Sequence, residues 1–217
     1  MERVPTGING LDGLIEGGFV KGSSVLITGI PGTGKSIFAL QYIVNGARLY
    51  NEKGLFISFE ENEEKLKNSV SRFNWDIDKL VEDGKILILY PEIKPETGED
   101  PIDWINKPEI KDLISKFKPN RVAVDSLSVI THYSREHGGY RRGVQLLIKN
   151  FQLNATTLFV HERETDGIGG TRYTQEEFIV DAIIHIHYAL IADTFKRFLS
   201  ISKMRSTNHA KGMYPFK

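Results

Sequence analysis

Short apolar runs alternate with helical stretches along most of the chain. The runs are rich in β-branched residues, which predicts buried strands at 23–29, 54–60, 85–90, 121–125 and 156–160. Helical periodicity predicts helices between them, at about 34–49, 62–73, 108–117 and 139–153. Asn62 lies where the second of these helices begins and is a suitable N-cap. This order of elements is typical of a parallel sheet covered by helices.

The last third of the chain has a different pattern. Residues 182–191 and 195–204 form two long apolar runs, joined through Ala192–Thr194, and predict a pair of antiparallel strands. No internal repeat, low-complexity tract or linker divides the sequence. We therefore predict an α/β protein with a mostly parallel twisted sheet, helices on both faces and an antiparallel C-terminal edge, folded as a single domain over residues 1–217.

The composition narrows the classes of function. The 28 basic and 28 acidic side chains balance, which does not favour a generally basic nucleic-acid binder. The absence of cysteine excludes disulfides and thiolate metal sites and fits a cytoplasmic location. The first residues have no apolar core of the kind found in signal peptides. The most membrane-like stretch, 179–193, is interrupted by Asp181, His185 and His187, so no membrane association is expected.

A phosphate-binding loop follows the first long strand. Residues 29–36 read G-I-P-G-T-G-K-S and match the pattern G-x-x-x-x-G-K-[ST] between an apolar strand and an amphipathic helix. Glycines there permit positive φ angles, so that backbone N–H groups can converge on phosphate oxygens. Lys35 is predicted to reach the β- and γ-phosphates, and Ser36 to hold Mg²⁺. The predicted nucleotide-binding residues of the loop are Gly29, Pro31, Gly32, Thr33, Gly34, Lys35, Ser36 and Ile37.

Carboxylates at the ends of two other strands complete the predicted site. Asp125 ends an apolar strand, where a direct or indirect Mg²⁺ ligand is expected. Glu60 and Glu61 end the second strand, and one of them is predicted to orient and deprotonate the attacking water. Because successive strand residues face opposite ways, only one of the pair is expected to face the nucleotide. The other is then a solvated charge near a helix N-terminus.

These motifs, in this order, resemble the KaiC-like ATPases of the RecA superfamily. The resemblance begins with "PTGINGLDGLIEGGFVKGSSVLITGIPGTGKS", continues through "SFEE", "VAVDS" and "TRYTQEEFIVDAII", and ends with "KMRSTNHAKGMYPF". It covers essentially the whole chain and implies a RecA-like three-layer fold, Mg²⁺-dependent ATP hydrolysis and a cis peptide after Asp125. It also implies that the pair after the second strand contains the catalytic carboxylate, with a slight preference for Glu60. KaiC itself carries two such domains, whereas this chain has one, and no timing function is inferred.

The resemblance assigns a role to the basic C-terminal motif. Domains of this family assemble into rings, usually hexamers, with ATP bound between neighbouring subunits. Lys203 and Arg205 would then reach the γ-phosphate of the adjacent subunit's nucleotide, as an arginine finger does, and His209 and Lys211 would lie near its sugar or base. From composition alone, the same motif would be a solvated, positively charged edge. The protein client of such a ring is not identified by the sequence.

Two alternative functions remain open. The loops at 132–145 and 162–173 occupy positions that bind DNA in RecA-type recombinases, and the first combines aromatic and basic side chains: Tyr133, Arg135, Tyr140, Arg141 and Arg142. Acidic residues in both loops oppose phosphate binding, so a DNA-binding recombination ATPase is the less favoured interpretation. An ATP-sensing scaffold with little turnover is the other alternative. His185 and His187 share a strand face but lack an evident third ligand, which favours a packed or hydrogen-bonded pair over a metal site.

Overall fold

A computed structural model describes residues 1–91, 100–130, 145–149, 151, 155–163 and 175–217. Its strands are β1 (Arg3–Val4), β2 (Phe19–Val20), β3 (Ser24–Gly29), β4 (Gly54–Ser58), β5 (Ile86–Leu89), β6 (Arg121–Asp125), β7 (Thr156–Glu162), β8 (Ala182–Ile191), β9 (Thr194–Met204) and β10 (Met213–Phe216). Its helices include α1 (Leu11–Leu14), α2 (Lys35–Tyr50), α3 (Glu63–Ser69), α4 (Ile77–Glu82), α5 (Pro101–Asn106), α6 (Pro108–Phe117) and α7 (Gln175–Ile179). Residues 71–73 form a 3₁₀ turn, and residues 127–130 and 145–149 are helical.

The main sheet has eight strands in the order β10-β9-β8-β3-β7-β6-β4-β5. The six strands from β8 to β5 are parallel, whereas β9 pairs antiparallel with both β8 and β10. A separate two-stranded sheet pairs β1 with β2. The prediction of an α/β fold with an antiparallel C-terminal edge is thus confirmed.

The two faces of the main sheet bury separate hydrophobic clusters. One cluster includes Phe38 and Ile43 of α2, which pack against β3 and β8. The other lies on the opposite face and includes Ile105 of α5 and Leu147 of the 145–149 helix. All six residues of β3 are buried, as expected for a central parallel strand with helices on both sides. This arrangement fixes the C-terminal end of β3, where the phosphate loop begins.

A buried arginine joins the N-terminal segment to the sheet. Arg121, the first residue of β6, is fully buried and forms an ion pair with Glu52. Its guanidinium donates to the carbonyl oxygens of Pro5 at 2.8 Å and Tyr42 at 3.1 Å. It also lies 4.5 Å from the centre of the Tyr42 ring, close enough for a cation–π contact. The Arg121 side chain thus connects segments of the chain that are far apart in sequence.

A β-bulge near the end of β9 determines on which face of the sheet Lys203 lies. Ala182 pairs with Met204 and Ile183 with Lys203, but Ile184 pairs with Ile201, so Ser202 is an extra residue on β9. An extra residue reverses the side-chain alternation beyond it. Ile201 and Met204 consequently both face the α2 side, whereas Lys203 faces the other side with its partner Ile183.

Candidate functional site

The loop 30–34 connects β3 to α2 and has the geometry that phosphate binding requires. Gly32 and Gly34 have φ angles of 79° and 97°, in the left-handed region that favours glycine. Gly29 is needed for another reason, since a Cβ there would lie 2.3 Å from the carbonyl oxygen of Ile186. Gly34 caps α2, and no side chain bonds to the cap. The first N–H groups of this 16-residue helix are thus directed at the loop's concave side.

Lys35 directly follows this loop, as the first residue of α2, and is 5% exposed. Its Nζ donates to the carbonyl oxygen of Ile30 at 3.0 Å and is 3.5 Å from Oε1 of Glu162. Glu162 ends β7, and its Cα is paired with Gly29 at the end of β3. The ammonium group is thus held at the mouth of the loop by one carbonyl and one carboxylate. A phosphate group would replace both contacts with a stronger charge interaction.

The predicted carboxylates lie beside the loop. A cleft of about 280 Å³ is lined by Lys35 and Ser36 together with Asp125, Glu60 and Glu61. The expectation that only one glutamate faces this site is wrong in its premise, because β4 ends at Ser58. Residues 59–62 are outside the strand, so strand alternation does not apply to them. Glu60 accepts a hydrogen bond from the hydroxyl of Ser126, while the backbone N–H of Glu61 donates to Oγ of Ser58 at 3.0 Å. Which glutamate is the base stays a prediction.

Asp125 is the most buried acid of the cleft, at 4% exposure. Burial raises its pKa to about 7, and a hydrogen bond from Ser36 and the charge of Lys35 oppose this rise. Its Oδ1 is buried and has no hydrogen-bond partner among the described residues. The Asp125–Ser126 peptide bond is cis, as the resemblance implies.

A magnesium ion fits this oxygen set. Mg²⁺ prefers oxygen ligands, and it is commonly bound by one or two protein groups together with substrate phosphates and water. Ser36 and Asp125 contact one another at the cleft, and the unsatisfied Oδ1 of Asp125 supplies a lone pair. Within the described ranges, no group of three or more His, Cys, Asp or Glu side chains is arranged to hold a metal. A site that used only these two side chains would need the phosphates to complete it.

The high pKa of Asp125 predicts a pH-dependent stability. The unfolded side chain has a pKa of 3.8 and the folded one about 7, so the folded state binds the proton more tightly. The stabilisation is complete below about pH 4 and is lost as pH rises through 7, with a slope of up to about 1.4 kcal/mol per pH unit. We expect the free energy of unfolding of the wild type, minus that of Asp125→Asn, to fall over this interval without Mg²⁺ or nucleotide. Denaturant titrations at several pH values measure this difference. The prediction would be contradicted if the free energies of unfolding of the two proteins changed with pH in parallel.

Two charged residues of the cleft were not predicted as site residues. Glu162 was assigned to the following loop, and Arg197 had no assigned role. Arg197 lies on β9, where its Nη2 donates to the carbonyl oxygen of Gly32 at 3.3 Å and its guanidinium is 5.3 Å from the centre of the Tyr188 ring. Both placements depend on strand order, since β7 and the β8–β9 pair flank β3. The local sequence contains no signal of that order.

The four residues of the C-terminal motif do not line this cleft. Lys203 donates to three carbonyl oxygens, of Glu177, Phe178 and Val180, at 3.0, 3.3 and 2.6 Å. Burial, followed by the neighbouring charge of Arg205, lowers the pKa of Lys203. Arg205, His209 and Lys211 follow β9, where Arg205 contacts Asp181 and Nδ1 of His209 contacts the carbonyl oxygen of Ala210 at 3.0 Å.

Strand register separates these cations from the phosphate loop of the same chain. Val25, near the start of β3, pairs with Ala182, which pairs with Met204. The loop follows Gly29, four residues further along β3, which corresponds to about 13 Å of strand. Lys203 and Arg205 are therefore at the opposite end of the sheet from their own Lys35. A role for them at a phosphate group requires a second subunit.

Three further predictions concern the histidine pair, the candidate DNA-binding side chains and the membrane-like stretch. Nε2 of His185 contacts Oγ of Ser202 at 2.7 Å, and Nε2 of His187 contacts Oγ of Ser200 at 2.8 Å, which confirms the hydrogen-bonded interpretation. The candidate DNA-binding side chains Tyr133, Arg135, Tyr140, Arg141 and Arg142 lie outside the described residues. In the described part of the chain, no helix has both the length and the apolar character needed to cross a membrane.

Comparison with known proteins agrees with this geometry. The sequence profile of the family described as "ATPase: KaiC" matches residues 4–217. The circadian clock oscillator proteins KaiC of Thermostichus vulcanus and Synechococcus elongatus are 32% and 34% identical to the chain, over 100% and 99% of its length. The chain spans 42% of the length of each of these relatives.

A solved structure shows the same architecture. The crystal structure of a KaiC-like protein from the hyperthermophilic archaeon Pyrococcus horikoshii OT3 superposes with a TM-score of 0.84 at 33% identity, covering 100% of this chain and 94% of that one. The phosphate loop, the carboxylates beside it and the C-terminal basic motif are thus arranged on the fold that the sequence resemblance implied. The chain belongs to the KaiC family of ATPases.

Proposed function

We propose that the chain binds Mg·ATP and hydrolyses it at the interfaces of a ring-like homo-oligomer, usually of six subunits in this family, in a regulatory or signalling role. The observation that carries this proposal is the distance along the sheet between the two halves of the site. Lys35 and the carboxylates lie at one end of β3, whereas Lys203 and Arg205 lie near its other end. A complete site therefore requires two copies of the domain, each spanning residues 1–217.

The residues of the cleft divide the chemistry among themselves. Lys35 and the N–H groups of the loop hold the phosphates, and Ser36 and Asp125 are placed to hold Mg²⁺, which neutralises charge on the phosphate oxygens when bound. Glu60 or Glu61 orients a water molecule in line with the γ-phosphate and accepts its proton. The bond between the γ-phosphorus and its bridging oxygen breaks as water attacks, which releases ADP and phosphate.

The neighbouring subunit supplies the missing positive charge in this proposal. Lys203 and Arg205 stabilise the charge that develops on the transferred phosphoryl group, and His209 and Lys211 contact the sugar or base of the same nucleotide. A cation that acts in the transition state accelerates hydrolysis without adding much to ground-state binding. An isolated subunit would accordingly bind nucleotide but hydrolyse it slowly.

Substitution of the arginine tests this division of roles. Arg205→Ala is expected to lower the turnover number by about 10³-fold, the lower range for an arginine finger, and to change nucleotide affinity by less than about fivefold. Phosphate release at saturating Mg·ATP and calorimetric nucleotide binding measure the two quantities. Arg72→Ala is the matched control, because Arg72 is an exposed arginine on the 3₁₀ turn. Loss of affinity as large as the loss of turnover would contradict a role confined to the transition state.

The assembly itself is tested by molecular mass. Light scattering with and without Mg·ATP shows whether a multiple of the 24.6 kDa subunit forms. A protein that stays monomeric at every nucleotide concentration and still turns over at full rate would exclude the composite site.

A further inference from the structure

The segment 177–181, which comprises the end of α7 and the link to β8, contacts both Lys203 and Arg205. Lys203 donates to the carbonyl oxygens of Val180, Glu177 and Phe178. Carbonyl groups at the end of a helix have no partners within the helix and carry partial negative charge. An ammonium group has three donors, so these contacts can occupy all of them. The position of the Lys203 head group is thus determined by the end of α7.

Arg205 is held by the next residue of the same segment. Its Nη1 donates to Oδ1 of Asp181 at 3.3 Å, and its backbone N–H donates to the carbonyl oxygen of Asp181 at 3.0 Å. A guanidinium has five N–H donors. Among the residues that the structure describes, one side-chain contact orients Arg205 and leaves other donors for a phosphate group, which suits its 58% side-chain exposure.

Asp181 is itself fixed to the central strand. Its second oxygen, Oδ2, accepts hydrogen bonds from the backbone N–H of Ser24 at 3.0 Å and from Oγ of Ser24 at 2.8 Å. Its backbone N–H donates to the carbonyl oxygen of Ser24 at 2.9 Å. Ser24 is fully buried at the start of β3. One carboxylate oxygen is thus tied to a rigid strand while the other contacts the guanidinium.

We propose that Asp181 is a positioning residue for ATP hydrolysis: anchored by Ser24, it orients Arg205 toward the nucleotide of the adjacent subunit. The inference rests on the proposed function, in which Arg205 acts across an interface. An arginine side chain has large rotamer freedom. A subunit that restricts this freedom before assembly loses less entropy when Arg205 meets the transition state, and a small misplacement of such a group is costly in rate.

The direct test is Asp181→Asn. Asparagine keeps an oxygen that can accept from Ser24, so the fold is expected to be retained, but it lacks the charge that orients Arg205. We expect the turnover number to fall by about tenfold and KM to change by less than about twofold. Asp112→Asn is the matched control, because Asp112 also pairs with a cation, Lys116 at 2.6 Å, on the exposed surface of α6. Wild-type turnover by Asp181→Asn would overturn the proposal.

Mixed rings separate an effect on the neighbour from damage to the subunit's own site. Asp181→Asn is mixed with a Glu60→Gln/Glu61→Gln subunit, which lacks the base but retains Arg205 and its anchor. With random mixing, about a quarter of all subunits have an intact cleft beside intact cations, so turnover should reach about a quarter of the wild-type rate per subunit. If sites are not shared between subunits, only the Asp181→Asn half of the subunits is active, at about a tenth of the wild-type rate, so the mixture should reach about a twentieth of the wild-type rate per subunit.

A parallel mixture of Arg205→Ala with the same glutamine subunit tests the proposed function. Recovery in both mixtures supports positioning across the interface. Recovery with Arg205→Ala but not with Asp181→Asn would show that Asp181 acts within its own subunit, which overturns this inference and leaves the composite site standing. Failure of the Arg205→Ala mixture to recover would reject the composite site, and the inference with it.

Discussion

Replacing Lys35 with alanine is expected to lower ATP turnover by about 10³-fold or more, because the variant loses a preorganised charge at the phosphates. Lys35 is almost fully buried and is the first residue of α2, so its ammonium group and the helix N–H groups act at the same point. No reorganisation of solvent is needed to bring them together. Nucleotide affinity should fall as well, since this charge acts on both the ground state and the transition state.

Phosphate release under saturating Mg·ATP and calorimetric binding measure the two effects of Lys35→Ala. Lys21→Ala is a suitable control, because Lys21 is an exposed lysine that pairs with Glu2 on the surface. A Lys35→Ala protein that retained a tenth of wild-type turnover would show that the phosphates are held elsewhere. The pairing with Arg205→Ala is informative, since only the lysine variant should lose much of its affinity.

Replacing Arg121 with methionine is expected to cost about 3–5 kcal/mol of the free energy of unfolding, because it leaves buried polar groups unpaired. The variant loses the contacts with Glu52, Pro5 and Tyr42, and the carboxylate of Glu52 loses its counter-charge. The residues around Arg121 leave little room for repacking, since a Cβ on Gly46 would lie 2.4 Å from Nε of Arg121.

Urea denaturation of Arg121→Met measures this loss. Lys116→Ala, which removes an exposed ion pair with Asp112, should cost less than about 1 kcal/mol. The double variant Arg121→Met/Glu52→Gln should recover part of the stability, because it also removes the unpaired charge. A loss below about 1 kcal/mol for the single variant would mean that these contacts contribute little beyond packing.

The phosphate loop could be predicted from the sequence because its function depends on local geometry. Positive φ angles at Gly32 and Gly34 and a helix that begins at Lys35 are properties of a short segment. The N-cap at Asn62 is local in the same sense, and its side chain accepts from the backbone N–H of Lys65 at 2.9 Å as predicted. The position of Asp125 followed from a weaker rule, that acids at the ends of parallel strands meet at one edge of the sheet.

Glu162 and Arg197 could not be found in this way. Their contacts with Lys35 and Gly32 arise because β7 lies next to β3 and because β9 runs antiparallel beside β8. Strand order is decided by the packing of the whole sheet, which no short window of sequence contains. The strand-alternation argument for Glu60 and Glu61 failed on a smaller scale, since it assumed that β4 continued two residues beyond Ser58.

The extra residue, Ser202, limits how the basic motif can be transferred to another protein. Lys-Met-Arg placed on a regular hairpin at the same spacing from Leu199 and Ile201 would direct its two charges into the hydrophobic layer against α2. A deletion of Ser202 would instead make the pairing regular, with Ile201 still opposite Ile184 and Lys203 still opposite Ile183, and would leave Lys203 facing away from α2. A protein engineered to carry this motif must therefore preserve which face of the sheet each side chain takes, as well as the identity of the residues.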